Sequence, residues 1–63
     1  MLTPRERQVM KLVYQGCTAR EAADRLCVSK RTIDFHVANV YSKLGINNRI
    51  QAFRRLKELG VTL

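Results

Sequence analysis

Cysteine and histidine are scarce in this 63-residue chain: Cys17, Cys27 and His36 are the only ones. Two thiols and one imidazole fall short of the four ligands of a structural zinc site and lack its close pairwise spacing. The two cysteines are the only candidates for a covalent staple. Their simpler reading is as small apolar residues kept reduced in a cytosol. No apolar run nears the roughly 18 residues that a membrane span needs, and signal peptide and low-complexity tract are both missing. The expected setting is the cytoplasm, with no membrane partner. Nor does any stretch sustain the period-two alternation of a half-buried strand. A lone histidine without a nearby nucleophile or carboxylate pair gives no general acid–base site. No glycine-rich loop is present to cradle a phosphate. An enzyme, a cofactor and a metal are all excluded on these grounds.

Acidic residues are also few. Five Asp and Glu stand against twelve Lys and Arg, a formal charge of +7. An excess this large on so small a body favours a polyanionic partner such as nucleic acid. The charges are spread along the chain and do not form the block of a disordered basic tail. Residues 1–63 are expected to make one domain. A domain of this size hides only roughly 60% of the surface its unfolded chain exposes, so its core must be economical.

The three glycines and the one proline fall where helix ends belong. In "TPRE", Thr3 is the expected N-cap, Pro4 the first helical residue and Glu6 the reciprocal partner of a capping box. Val9, Met10, Leu12 and Val13 follow as an apolar stripe that Gly16 ends. "TARE" repeats the box with Thr18 and Glu21 and opens a short helix through Ala22, Ala23 and Leu26. Ser29 caps a third helix, leaving Cys27 and Val28 as a tight connection. There Ile33, Val37, Val40 and Leu44 share one face, with Tyr41 at its edge, until Gly45. Asn48 and Gln51 open a fourth helix whose apolar residues are Ile50, Phe53, Leu56 and Leu59, before Gly60. The fold class is all-α, with four short helices. Helices two and three, joined by about three residues, have the outline of a helix-turn-helix. A generic helical hairpin has the same outline, but Arg20, Arg25, Lys30 and Arg31 all cluster near the turn.

At 100° per residue, Arg31, Phe35, Ala38 and Ser42 point away from the core-facing row of the third helix, with Asp34 and Asn39 at the flanks. In a helix-turn-helix this arc enters the major groove of double-stranded DNA. Arg31 suits guanine O6 and N7, or a phosphate. Asp34 suits the cytosine amino group, or else orients Arg31. Phe35 and Ala38 can pack on thymine methyls; burial of Phe35 against another domain or a dimer partner is the competing reading. Ser29 and Thr32, through hydroxyls and the free amides of the helix start, are expected on phosphates. Lys30, Thr18 and Arg20 complete the expected backbone contacts. His36, between the two faces, is expected to pack or to touch a phosphate.

The stretch "LTPRERQVMKLVYQGCTAREAADRLCVSKRTIDFHVANVYSKLGINNRIQA", Leu2 to Ala52, resembles the LuxR-type (NarL/FixJ, GerE-like) helix-turn-helix DNA-binding domain of bacterial transcription regulators. The trailing "H..NVYSKLGINNR" makes the match specific. The resemblance implies a third helix, about residues 30–44, that reads the major groove, with base contacts from Arg31, Asp34, Phe35 and Ala38. It also places Thr32 and Lys43 on the DNA backbone. It implies homodimerisation through the fourth helix, for which Ala52, Arg55, Leu56 and Leu59 are candidates, and RNA polymerase as a further partner. Glu6 and Arg49 are expected to form a supporting ion pair in preference to contacting DNA. Two departures stand out. Asp34 occupies a position where the family often carries Lys or Arg. Ala22 stands where the family has Ile, a loss of core volume that Met10 or Tyr14 is expected to fill. Members usually carry a receiver or other sensory domain ahead of this one. An excised output domain and a naturally short regulator both fit a Met directly before "LTPRE". Two other readings compete: the promoter-reading C-terminal region of a sigma factor, and a protein-interaction bundle based on Phe35, Leu59, Val61 and Leu63.

Overall fold

Every helix start in the chain is built by a side chain that satisfies amides the helix itself leaves free. The computed structural model describes residues 2–60; Val61 and Leu63 lie outside them. Helix α1 spans Pro4–Tyr14. The Glu6 amide donates to the Thr3 hydroxyl at 3.1 Å, and the Thr3 amide donates to the Glu6 carboxylate at 2.8 Å. Helix α2 spans Ala19–Leu26 and begins on the same reciprocal arrangement between Thr18 and Glu21, at 3.1 and 2.9 Å. Helix α3, Lys30–Leu44, starts on the Ser29 hydroxyl, which accepts the Thr32 amide. Helix α4, Arg49–Glu58, starts on the Asn48 side chain, which accepts the Gln51 amide. All four caps are the ones the sequence predicts.

Helix ends are less uniform. Gly45 terminates α3 in the left-handed conformation at φ 67°, as expected of glycine. The end of α2 does the same with a non-glycine residue: Cys27 sits at φ 57°, ψ 42°. The Val28 amide donates to the Ala23 carbonyl at 2.9 Å and closes the turn.

The core has two clusters. Val9, Cys17, Ala22, Ala23 and Ile33 join α1, the α1–α2 connection, α2 and α3, while Met10, Val40 and Ala52 join α1, α3 and α4. Val37 packs against both, so α3 is the shared wall of the whole core. The small Ala22 and Ala23 side chains let α2 lie close to α3. Met10 and Tyr14 do not fill the space left at Ala22, since both belong to the other cluster; Val9, Cys17 and Ile33 share its cluster. Both cysteines are free thiols. Cys17 is buried as a small apolar residue should be, but Cys27 is exposed.

The apolar residues of the fourth helix do not share one environment. Of Ile50, Phe53, Leu56 and Leu59, only Leu56 is buried, together with Ala52. The reason is angular. Steps of three residues advance 300°, so each position in the row falls 60° behind the last and the row turns through 180° from Ile50 to Leu59. No single core can receive all four. Ala52 and Leu56, four residues apart, stack on one line and take the core.

Candidate nucleic-acid interface

The groove-facing row predicted for α3 is bare in the folded domain. Arg31, Asp34, Phe35, Ala38 and Ser42 are exposed, Asn39 is half-buried, and Ile33 and Val40 on the opposite side are fully buried. Phe35 leaves 62% of its surface in water, a large apolar exposure on a helix otherwise well packed. Its ring meets His36 edge-on, with centroids 5.8 Å apart and planes at 63°. Arg20 and Arg25 are exposed on α2, and Lys30 and Arg31 on the first turn of α3, so positive charge flanks the turn on both sides. Ser29 and Thr32 are tied to each other through their hydroxyls at 3.0 Å. The Thr18 hydroxyl is engaged as a cap but stays at the surface.

Asp34 does not orient Arg31. Its carboxylate pairs with Lys30, one turn earlier, at 2.9 Å, with both side chains more than half exposed. An exposed pair of this kind contributes little stability and exchanges readily.

The expected Glu6–Arg49 pair is replaced by two other contacts. Lys43 donates to the Glu6 carboxylate at 2.7 Å, and Arg49 donates to the Val13 carbonyl at 2.6 Å. Glu6 retains only 3% of its surface. Burial pushes its carboxyl up, but hydrogen bonds from Lys43 and from the Thr3 amide, the Lys43 charge and the Thr3 hydroxyl outweigh that. The net position is below the ordinary value of 4.5. Lys43, expected on the DNA backbone, therefore serves first to tie the last turn of α3 to the start of α1. Arg49 satisfies a carbonyl near the end of α1 and places positive charge at the negative pole of that helix. Beside it, burial pushes the Tyr14 phenol up to about 12, with Tyr41 adding to the rise and Arg49 opposing it. Tyr14 also packs edge-on against Phe53 at 5.0 Å between centroids. The Glu6–Lys43, Arg49–Val13 and Tyr14–Phe53 links join residues more than 35 positions apart, and nothing local in the sequence signals them. Glu21 lies below its ordinary value because the Thr18 amide and hydroxyl donate to it and Arg25 is near, against a small opposing effect of burial.

Two of the dimer candidates are spent inside the domain. Ala52 and Leu56 keep 0% and 1% of their surface, so neither can meet a partner. Arg55 and Leu59 remain exposed; Arg55 pairs with Glu58 at 3.3 Å. Ile50, which is 75% exposed, is a further residue able to face a partner and is not among the dimer candidates, because the sequence leaves open which side of the fourth helix faces a partner.

A short helix, a tight turn and a second helix with a bare outer row flanked by arginine and lysine define a helix-turn-helix DNA-binding domain. The chain belongs to the luxR family of bacterial regulatory proteins, whose model matches residues 1–56. It is 40% identical over 60 residues to the spore germination protein GerE of Bacillus subtilis, covering 95% of this chain and 81% of that protein. It is 42% identical over 55 residues to the transcriptional regulatory protein UhpA of Escherichia coli, covering 87% of this chain and 28% of UhpA. Mycobacterial relatives matched at 48% identity over 50 residues are far longer, and the chain spans 6% of their length. Among solved structures, the transcription factor GerE superposes with a TM-score of 0.88 at 34% identity, covering 94% of this chain and 88% of that one. The response regulator ChrA of a heme-sensing two-component system gives 0.90 at 31%, covering 98% of this chain and 31% of ChrA. The family match runs through most of α4, which the sigma-factor reading left without a purpose. The names of these relatives are mostly those of transcription regulators, and the domain is a DNA-binding module of bacterial transcription regulation.

Proposed function

We propose that α3 lies in the major groove and reads a specific operator, with Arg31, Asp34, Phe35 and Ala38 toward the bases. Ser29, Lys30, Thr32, Thr18 and Arg20 hold the phosphates, and Lys43 adds a further backbone contact from its position beside Glu6. The observation that carries this reading is the exposed outer row of α3 beside exposed basic residues on both sides of the turn. Small and planar side chains in that row allow close approach to base edges, while the cations supply attraction from the rim. The domain acts as the output module of a response regulator or a related regulator. It works as a homodimer through one exposed arc of α4, for which Arg55 and Leu59 on one side and Ile50 on the other are the candidates, and RNA polymerase is a further partner.

Selection from a pool of random duplexes tests the reading. The expected result is enrichment of a motif with twofold symmetry, bound more weakly as salt rises. Arg31→Ala is expected to cost about 1–3 kcal/mol on the enriched site and to relax the preference at one base position. Absence of enrichment, or equal loss on every duplex, would defeat the proposal.

A further inference from the structure

The two adjacent residues Asp34 and Phe35 restrict which bases the outer row of α3 can accept. We infer that they read neighbouring pyrimidines: Asp34 takes the N4 amino group of a cytosine, and Phe35 with Ala38 takes the C5-methyl group of a nearby thymine. The inference rests on the placement of α3 in the major groove and goes beyond it by specifying what the operator must contain.

Asp34 is an acceptor only, so phosphate oxygens, guanine O6 and N7 and thymine O4 all repel it. Adenine offers its N6 donor beside the N7 acceptor, whereas cytosine offers its N4 donor without an adjacent acceptor. A carboxylate is therefore best matched by cytosine. Lys30, 2.9 Å from Asp34, offsets the acid's charge as the helix approaches the backbone. Both partners are more than half exposed, so the lysine can turn to a phosphate when the amino group of cytosine replaces it. Among the described residues Phe35 is the one large apolar side chain of α3 that is strongly exposed; the others, Ile50, Phe53 and Leu59, lie on or just after α4. The apolar feature the major groove offers is the thymine methyl. The ring already rests edge-on against His36, so it loses little freedom on contact. Ala38 lies three residues further on the same outward row and is also exposed, extending the apolar surface by one methyl. Successive helical residues are separated by 1.5 Å of rise and 100°, which directs Asp34 and Phe35 to neighbouring base pairs.

The test uses the duplex enriched from a random pool, resynthesised with each thymine replaced in turn by deoxyuridine, which removes only the methyl. At one position per half-site the wild-type chain should bind about fourfold more weakly, the equivalent of about 0.8 kcal/mol for one buried methylene-sized group. Phe35→Ser should lose this sensitivity and Phe35→Leu should keep it; the position is exposed, so both variants should fold as the wild type does. Asp34→Asn should move the preference at one neighbouring position from cytosine toward adenine, because an amide matches adenine N6 and N7. Uniform indifference to uracil, or an unchanged base preference in Asp34→Asn, on a duplex that the wild-type chain still selects, would overturn the inference while leaving DNA binding intact. Failure to select any duplex would overturn the groove placement itself and this inference with it.

Discussion

Glu6 is a carboxylate kept ionised while almost wholly withdrawn from water, and its folded-state pKa lies below the ordinary value. The unfolded chain therefore binds more protons than the folded one as the pH drops through that range. The stability this group contributes is fully present above its unfolded value of 4.5 and is lost as the pH falls through the lower, folded one. Thermal melts from pH 7 downward should show stability declining from about pH 5, and Glu6→Gln should be less stable at neutral pH with a flatter acid limb. An unchanged acid limb in the variant would show that Glu6 is not the group responsible. Cys27 makes the opposite kind of contribution. A non-glycine residue at φ 57° carries a steric cost of about 1–2 kcal/mol, part of which glycine would recover after its greater unfolded entropy is subtracted. Cys27→Gly should raise unfolding free energy by up to about 1 kcal/mol and leave DNA selection unchanged. A fall in stability would mean the thiol makes a contact that matters more than the strained backbone.

At the scale of the element, α4 divides its apolar residues between two purposes. Leu56 lies at 1% exposure and anchors the helix, so Leu56→Ala should destabilise the domain by about 2–5 kcal/mol. For a chain of this length the total is only about 3–9 kcal/mol, so partial unfolding near room temperature is the expected outcome, visible by circular dichroism. A variant that melts like the wild type but dimerises poorly would return Leu56 to the partner-facing side. Helix α3 divides in the same way with a cleaner boundary, since its core positions follow the four-three-four spacing that keeps a row on one face. That regularity is why its outer row was legible from sequence, while the row read on α4, built from steps of three, was not.

At the scale of the whole molecule, a formal charge of +7 on a body about 30 × 19 × 19 Å favours association with any duplex, and the proposed homodimer would add specificity by holding two half-sites together. Ile50, in the first turn of α4, and Leu59, its C-cap, are both exposed, and nine residues at 100° each set them on opposite sides of the helix. A symmetric contact through this helix needs one of the two arcs. The double variant Ile50→Glu, Leu59→Glu should abolish cooperative binding to a two-half-site duplex and preserve single half-site affinity within about threefold, allowing for the added acidic charge. The two single variants then identify the arc. Cooperative binding retained in the double variant would remove α4 as the dimer element.

Local sequence alone determined where each helix begins and which face of α3 stays outside. Capping boxes and helical periodicity act between residues three or four apart, so Thr3 with Glu6, Thr18 with Glu21, Ser29 with Thr32 and Asn48 with Gln51 could be read directly. Tertiary structure alone decided that Glu6 takes Lys43 and Arg49 takes the Val13 carbonyl, that Tyr14 meets Phe53, and that Cys17 is buried while Cys27 is strained and exposed. It also decided that Ala52 and Leu56 belong to the core. These pairings depend on how α1, α3 and α4 are oriented in space. Several partners of equal charge or apolarity compete for each residue, and only packing selects among them.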